Sequence, residues 1–209
     1  MGIFTGFTAG LLLITLSELG DKTFFIGAIL AMRHPRRWVF LGVVIALAGM
    51  TILSVGLGQV AALLPQHYVK GLAIALFFGF GLKLLYDAYQ MSPHSHAHDE
   101  EAAALAVVNN CASLGRTGTA VARIVVLQAL ALTFAAEWGD RTQIATMTLA
   151  TTNHPLGVMV GATVGHIICA AIAITLGRLI AGRISERTLT ALGGALFLLF
   201  GVFAAWGIG

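Results

Sequence analysis

Two strings of charged and hydroxyl residues interrupt an otherwise apolar sequence: Glu18-Leu19-Gly20-Asp21-Lys22-Thr23 and Glu137-Trp138-Gly139-Asp140-Arg141-Thr142. Each holds two carboxylates three residues apart, a basic group four residues after the glutamate, and a threonine hydroxyl. Residues three and four apart share a helix face, so each string is expected to present its carboxylates together. Four carboxylates against two basic groups leave two negative charges, which one divalent cation or two protons would neutralise. Oxygen-only ligands suit hard ions such as Ca2+, Mg2+ or Mn2+. Neither string contains Cys or His, which argues against Zn2+, Cu+ and other softer ions. Glu18, Asp21, Glu137 and Asp140 are the expected metal ligands of a single site. Thr23 and Thr142 add hydroxyl oxygens, and Lys22 and Arg141 balance charge. Ser17 and Gln143 flank the strings, either as supporting groups or as ordinary interhelical hydrogen-bonders.

The elements that must hold this site are membrane helices. Of 209 residues, 58% are hydrophobic and only 10% charged, whereas a soluble domain carries about a quarter charged residues. The apolar blocks reach the roughly 20 residues that span a bilayer. Six spans are expected, over residues 4–31, 38–64, 69–91, 121–150, 156–180 and 187–208, with breaks at Arg33 to Arg37, Pro65 to His67, Asn153 to Pro155 and Arg183 to Arg187. Both strings then lie near mid-membrane, where a charged side chain costs at least about 2.5–3.5 kcal/mol. Plain ion pairing, Glu18 with Lys22 and Glu137 with Arg141, is the bland reading. It leaves both aspartates in surplus and does not explain the duplication.

The two halves repeat. The strings are offset by 119 residues, as are Gly42 and Gly161, and Gly58 and Gly177; Gly81 and Gly201 follow at an offset of 120. Three spans per half force the second half to enter from the opposite side. The expected fold is an all-α integral membrane protein with six transmembrane helices as two inverted three-helix repeats, an arrangement many secondary transporters use. The expected divisions are residues 1–91, the first repeat; 92–120, a cytoplasmic His-rich and acidic loop; and 121–209, the second repeat. Arg33, Arg36, Arg37, Arg116, Arg123, Arg183 and Arg187 fall on one side with Arg178 near the boundary, against Lys70 on the other. The positive-inside rule makes the first side cytoplasmic and places both termini outside. The start of the chain shows neither the basic segment and cleavage site of a signal peptide nor an Arg/Ser-rich transit segment, which favours a bacterial plasma membrane over a eukaryotic organelle.

Other residues carry weaker signals. Gly20 and Gly139 are expected to let helices approach closely, and the remaining span glycines to serve plain packing. His166 reads as a packed, satisfied histidine, and Lys83 with Asp87 as a local ion pair. Gln59 and Gln128 read as polar groups within spans. His94, His96, His98, Asp99, Glu100 and Glu101 form a string that binds transition metals weakly at best; a solvated loop is favoured, with ion sensing as the functional option. A short helix fits within 101–109. Cys111 and Cys169 show no disulfide framework.

The pattern Glu-x-Gly-Asp-(Lys/Arg)-(Thr/Ser), present twice in a short six-span chain, resembles the family of manganese/calcium:proton antiporters of Golgi, chloroplast and bacterial membranes. The likeness covers essentially the whole chain, and both strings match without departure. It implies a divalent cation (Mn2+, Ca2+ or both) exchanged for protons, Mn2+ export from the cytoplasm in bacterial members, Glu18, Asp21, Glu137 and Asp140 as ligands, and Thr23 and Thr142 as helpers. It implies no enzyme activity and no resident cofactor. The expected partners are divalent ions and the lipid bilayer, without nucleic acid; a homo-oligomer is compatible with the sequence. Two competing readings are an intramembrane enzyme, against which the repeat stands unexplained, and a six-helix exporter of a small organic solute.

Overall fold

The computed structural model describes residues 2–91, 119–180 and 186–206, together with Ala102, residues 104–106, Val108 and Asn109. The regular elements are α1 (Ile3–Glu18), α2 (Lys22–Arg33), α3 (Arg36–Ala61), α4 (Gln66–Gln90), α5 (Thr119–Glu137), α6 (Arg141–Thr152), α7 (Pro155–Ile180) and α8 (Glu186–Trp206). No strand occurs among the described residues.

Helices α3, α4 and α7 are each long and apolar enough to cross a membrane. The first and fourth expected spans are not continuous. Helices α1 and α2 are bent by 66° at a short break, and α5 and α6 by 72°. Counting each bent pair as one span gives up to five, and residues 190–206 of α8 form a shorter apolar helix. Helix starts follow from local chemistry: Pro35, Pro65 and Asp140 are N-caps, where a missing N–H or a short carboxylate suits the unsatisfied first turn.

Helix α2 lies at the centre. Every residue from Thr23 to Ala31 is buried, as expected of a helix apolar on all faces. Phe24, Phe25, Ile29 and Leu30 pack with Val39, Val43 and Leu47 of α3, Val125 and Ala129 of α5, and Ala170, Ala173 and Ile174 of α7. Ala104 and Val108, both helical, join this cluster from the connection between the halves. A second cluster gathers Ala9, Leu13, Val55, Phe77, Leu84, Leu149, Val158 and Phe197. Outward faces stay apolar: Leu41, Ile45 and Ile52 of α3 are exposed, which suits lipid and would be an aggregation patch in water.

Packing is reciprocal between the halves. Helix α1 packs chiefly on α7 and α5 on α3, while α4 pairs with α8. A Cβ on Gly42 would meet the Val126 carbonyl oxygen at 2.5 Å, and one on Gly161 would strike that of Phe7. Phe7 and Val126, like Gly42 and Gly161, are 119 residues apart. Likewise a Cβ on Gly81 would meet Leu198, and one on Gly201 would meet Phe78.

One local expectation fails. Lys83 is exposed and Asp87 half-buried, and no ion pair joins them. The string from His94 to Glu101 lies outside the described residues, as does Cys111; Cys169 is a buried free thiol.

Candidate metal centre

The two acidic strings are the two helix breaks. Helix α1 ends at Glu18; Leu19 then takes φ −65° and ψ 112°, Gly20 takes φ 83°, and the Asp21 N–H donates to the Glu18 carbonyl at 3.2 Å. These are the angles and hydrogen bond of a type II turn, whose third position requires positive φ. The second string repeats it, with Gly139 at φ 79° and the Asp140 N–H donating to the Glu137 carbonyl at 3.1 Å. The expectation that the carboxylates share one continuous helix face is therefore corrected. Each glutamate closes one half-helix and each aspartate opens the next. The expected role of the glycines changes too. A Cβ on Gly139 would meet nothing within 4 Å, so glycine there serves the left-handed backbone, not helix approach.

The fold brings three of the four carboxylates together. Oxygens of Glu18, Glu137 and Asp140 lie within 4.8 Å of one another. Glu18 and Glu137 are each only 2% exposed. Thr23 Oγ1 donates to Glu18 Oε2 at 3.0 Å, and Thr142 Oγ1 to Glu137 Oε2 at 3.3 Å and Asp140 Oδ2 at 3.0 Å. Asp140 also accepts from the Thr142 backbone N–H at 3.1 Å. The other oxygen of each glutamate, Oε1, is buried without a hydrogen-bond partner. Buried polar atoms are ordinarily satisfied, and a cation between the glutamates would satisfy both. The N-termini of α2 and α6 open at this point, adding the positive helix ends that favour nearby carboxylates.

Asp21 sits differently. Arg141 Nη2 reaches its Oδ1 at 3.1 Å, bridging the two strings. Lys22 makes no ion pair among the described residues. A cleft of about 480 Å³ exposes Asp21, Lys22, Asp140 and Arg141, walled on the α4 side by Phe80, Lys83, Leu84 and Asp87. A separate cavity of about 420 Å³, lined among others by Thr5, Thr8, Lys70, Thr152 and Asn153, lies at the opposite ends of α1 and α6. The second apolar cluster runs from Leu84, on the cleft wall, to Ala9, Phe77 and Leu149, on the cavity wall.

The flanking residues divide. Gln143 Oε1 accepts from the Gly139 N–H at 2.7 Å and its amide donates to Met50 Sδ at 3.7 Å, so it braces the break. Ser17 Oγ is buried without a partner. Gln59 donates to the Ala150 carbonyl at 2.7 Å, an ordinary interhelical tie, and Gln128 has a partner. His166 is buried, but its Nδ1 is unpartnered, so it is packed without being satisfied. Sequence reasoning kept His166 and Cys169 apart from the centre and gave Met50 no role. The one signal was a break in the repeat: His166 stands where the offset of 119 gives Leu47.

Buried carboxylates at paired breaks in membrane-length helices define a membrane protein that handles cations inside its bundle. The chain matches the family described as divalent cation/proton antiporter GDT1 over residues 6–92 and 125–208. It is 52% identical to a GDT1-like protein of Synechocystis, sll0615, over 98% of each chain. It is 41% identical to GDT1-like protein 3 of Oryza sativa subsp. japonica over 96% of this chain and 74% of that one. It is 39% identical to the Arabidopsis thaliana protein PAM71-homolog, chloroplastic, over 98% of this chain and 60% of that one. No solved structure matches. The chain belongs to the GDT1 family of divalent cation/proton antiporters; it is a multi-pass membrane transporter and not an enzyme.

Proposed function

We propose that this antiporter carries Mn2+, Ca2+ or both, exporting Mn2+ from the cytoplasm in exchange for protons, with Glu18, Asp21, Glu137 and Asp140 as the ion's ligands. One observation carries the reading: two buried glutamates with bare Oε1 atoms stand beside Asp140 at the helix breaks. A divalent ion there replaces the missing partners, and protons on the same oxygens replace the ion, so that the two loads exclude each other. Arg141 holds Asp21 as a tethered cation until the incoming ion draws that carboxylate into the set. Thr23 and Thr142 orient the glutamates, Gln143 braces the second break, and Ser17 offers a further oxygen.

The inverted-repeat reading treats α1–α2 and α5–α6 as single broken spans, giving three spans to each of residues 1–91 and 121–209. The reciprocal glycine contacts support it. The Lys and Arg distribution favours both termini outside, with residues 92–120 and the cleft beside Asp21 on the cytoplasmic side. A bacterial plasma membrane suits the similarity to a cyanobacterial relative. There the proton gradient is directed inward, so exchange drives the cation out.

Purified protein in liposomes, assayed for Mn2+ and Ca2+ movement with and without a pH gradient, tests the reading. Gradient-dependent movement that is lost in Asp140→Asn is the expected result. Movement of neither ion under any gradient would overturn it.

A further inference from the structure

His166 on α7 is 6% exposed, and its Nδ1 has no hydrogen-bond partner. Together with Glu18, Thr23 and Cys169 it borders a cavity of about 10 Å³, enough for about one water-sized occupant. The remaining walls are Phe24, Gly27, Val43, Leu47, Ala170 and Ala173, which supply no polar side chain. Glu18 thus belongs both to this cavity's wall and to the carboxylate cluster. Its Oε2 accepts from Thr23, while its Oε1 is bare like the imidazole nitrogen. The Cys169 thiol donates to the Thr15 carbonyl at 3.5 Å, which leaves the imidazole as the uncommitted soft ligand.

We propose that Glu18 and His166 form a second cation position beside the carboxylate cluster, and that its nitrogen ligand favours Mn2+ over Ca2+. The inference rests on the reading that Glu18 is an ion ligand. The cluster of Glu18, Glu137 and Asp140 does not include His166, so the ion reaches the imidazole by moving along Glu18 through the small cavity. The chemistry discriminates. Ca2+ takes oxygen ligands in sets of six to eight, whereas imidazole is a ligand for first-row transition ions. The imidazole nitrogen, with the Glu18 carboxylate and the Thr23 hydroxyl, gives the position a ligand that Mn2+ accepts more readily than Ca2+ does.

The test uses full-length protein in which His94, His96 and His98 are replaced by Ser, because that string can bind metal on its own. Mn2+ bound to this protein is measured by pulsed electron paramagnetic resonance for coupling to imidazole 14N. In parallel, liposome transport of Mn2+ and Ca2+ is compared for His166, His166→Gln and His166→Asn, with Asp140→Asn as control. The expected result is 14N coupling that disappears in His166→Gln. The Mn2+ over Ca2+ preference should fall by about tenfold or more, the scale on which residues around a ligand set affect metal affinity. Absence of 14N coupling overturns the assignment even if the His166 variants fail to fold. So do equal losses for both ions, or an unchanged preference. If instead Asp140→Asn transports like the parent, the carboxylate reading fails, and that outcome is separate from any result at His166.

Discussion

The two acidic strings are nearly the same in sequence and differ in what they do in the fold. Asp140 turns onto its own helix, accepting from the Thr142 N–H and facing Glu18 and Glu137. Asp21 makes no such cap bond and is bridged by Arg141 from the other string. Lys22, the counterpart of Arg141, returns no matching bridge to Asp140 among the described residues. A repeated sequence thus holds two different arrangements at once. On the inverted-repeat reading proposed above, such a difference is what a centre open on a single side requires. The half whose aspartate is bridged and the half whose aspartate caps its helix would exchange roles when the protein opens to the other face.

The largest expected effect comes from breaking both halves of that contrast. Asp140→Asn and Asp21→Asn should each abolish proton-coupled exchange, but Asp140→Asn should weaken equilibrium Mn2+ binding by about 100-fold and Asp21→Asn, whose carboxylate must first leave Arg141, by only about tenfold, the two ends of the scale for residues that support a metal set. Calorimetry on the two purified variants checks this, and equal binding losses would erase the distinction. Next, Arg141→Lys should slow exchange by about tenfold, because a point charge does not replace a planar fork at a carboxylate. Lys22→Arg should change it by less than about twofold, as expected for an exposed or unpaired charge. Initial rates in liposomes separate them.

Smaller effects belong to stability. Gly161→Ala forces a Cβ against the Phe7 backbone and should cost about 1–3 kcal/mol by overpacking. Gly139→Ala meets open space but must hold φ 79°, costing about 1–2 kcal/mol. Thermal unfolding in detergent should lower the midpoint for both, while only Gly139→Ala slows exchange in protein that remains folded. Gln59→Leu, which loses one bond to the Ala150 carbonyl, should cost about 1 kcal/mol and leave ion preference unmoved.

Much of the candidate site was legible because membrane chemistry is unforgiving: a carboxylate within an apolar block needs a reason, and of Glu18, Asp21, Glu137 and Asp140 the fold gathers all but Asp21. The breaks were less legible. Glu-x-Gly-Asp carries a glycine at the turn's third position, yet the same string fits a helix, and only the positive φ of Gly20 and Gly139 decides between them. The supposed Lys83 and Asp87 pair failed because helical spacing permits an ion pair without requiring one.

Residue types and their order, by themselves, determined the membrane as solvent, the twofold repeat and the acidic strings, since hydrophobicity and charge are properties of residues and survive without coordinates. Only the tertiary structure decided which carboxylates meet, that Arg141 and not Lys22 crosses between the strings, and that His166 lies beside Glu18. Those outcomes depend on how the α1–α2 break meets the α5–α6 break and how α7 packs against α1 and α2, and distances between residues some 120 to 150 positions apart are set by packing, which no local pattern encodes.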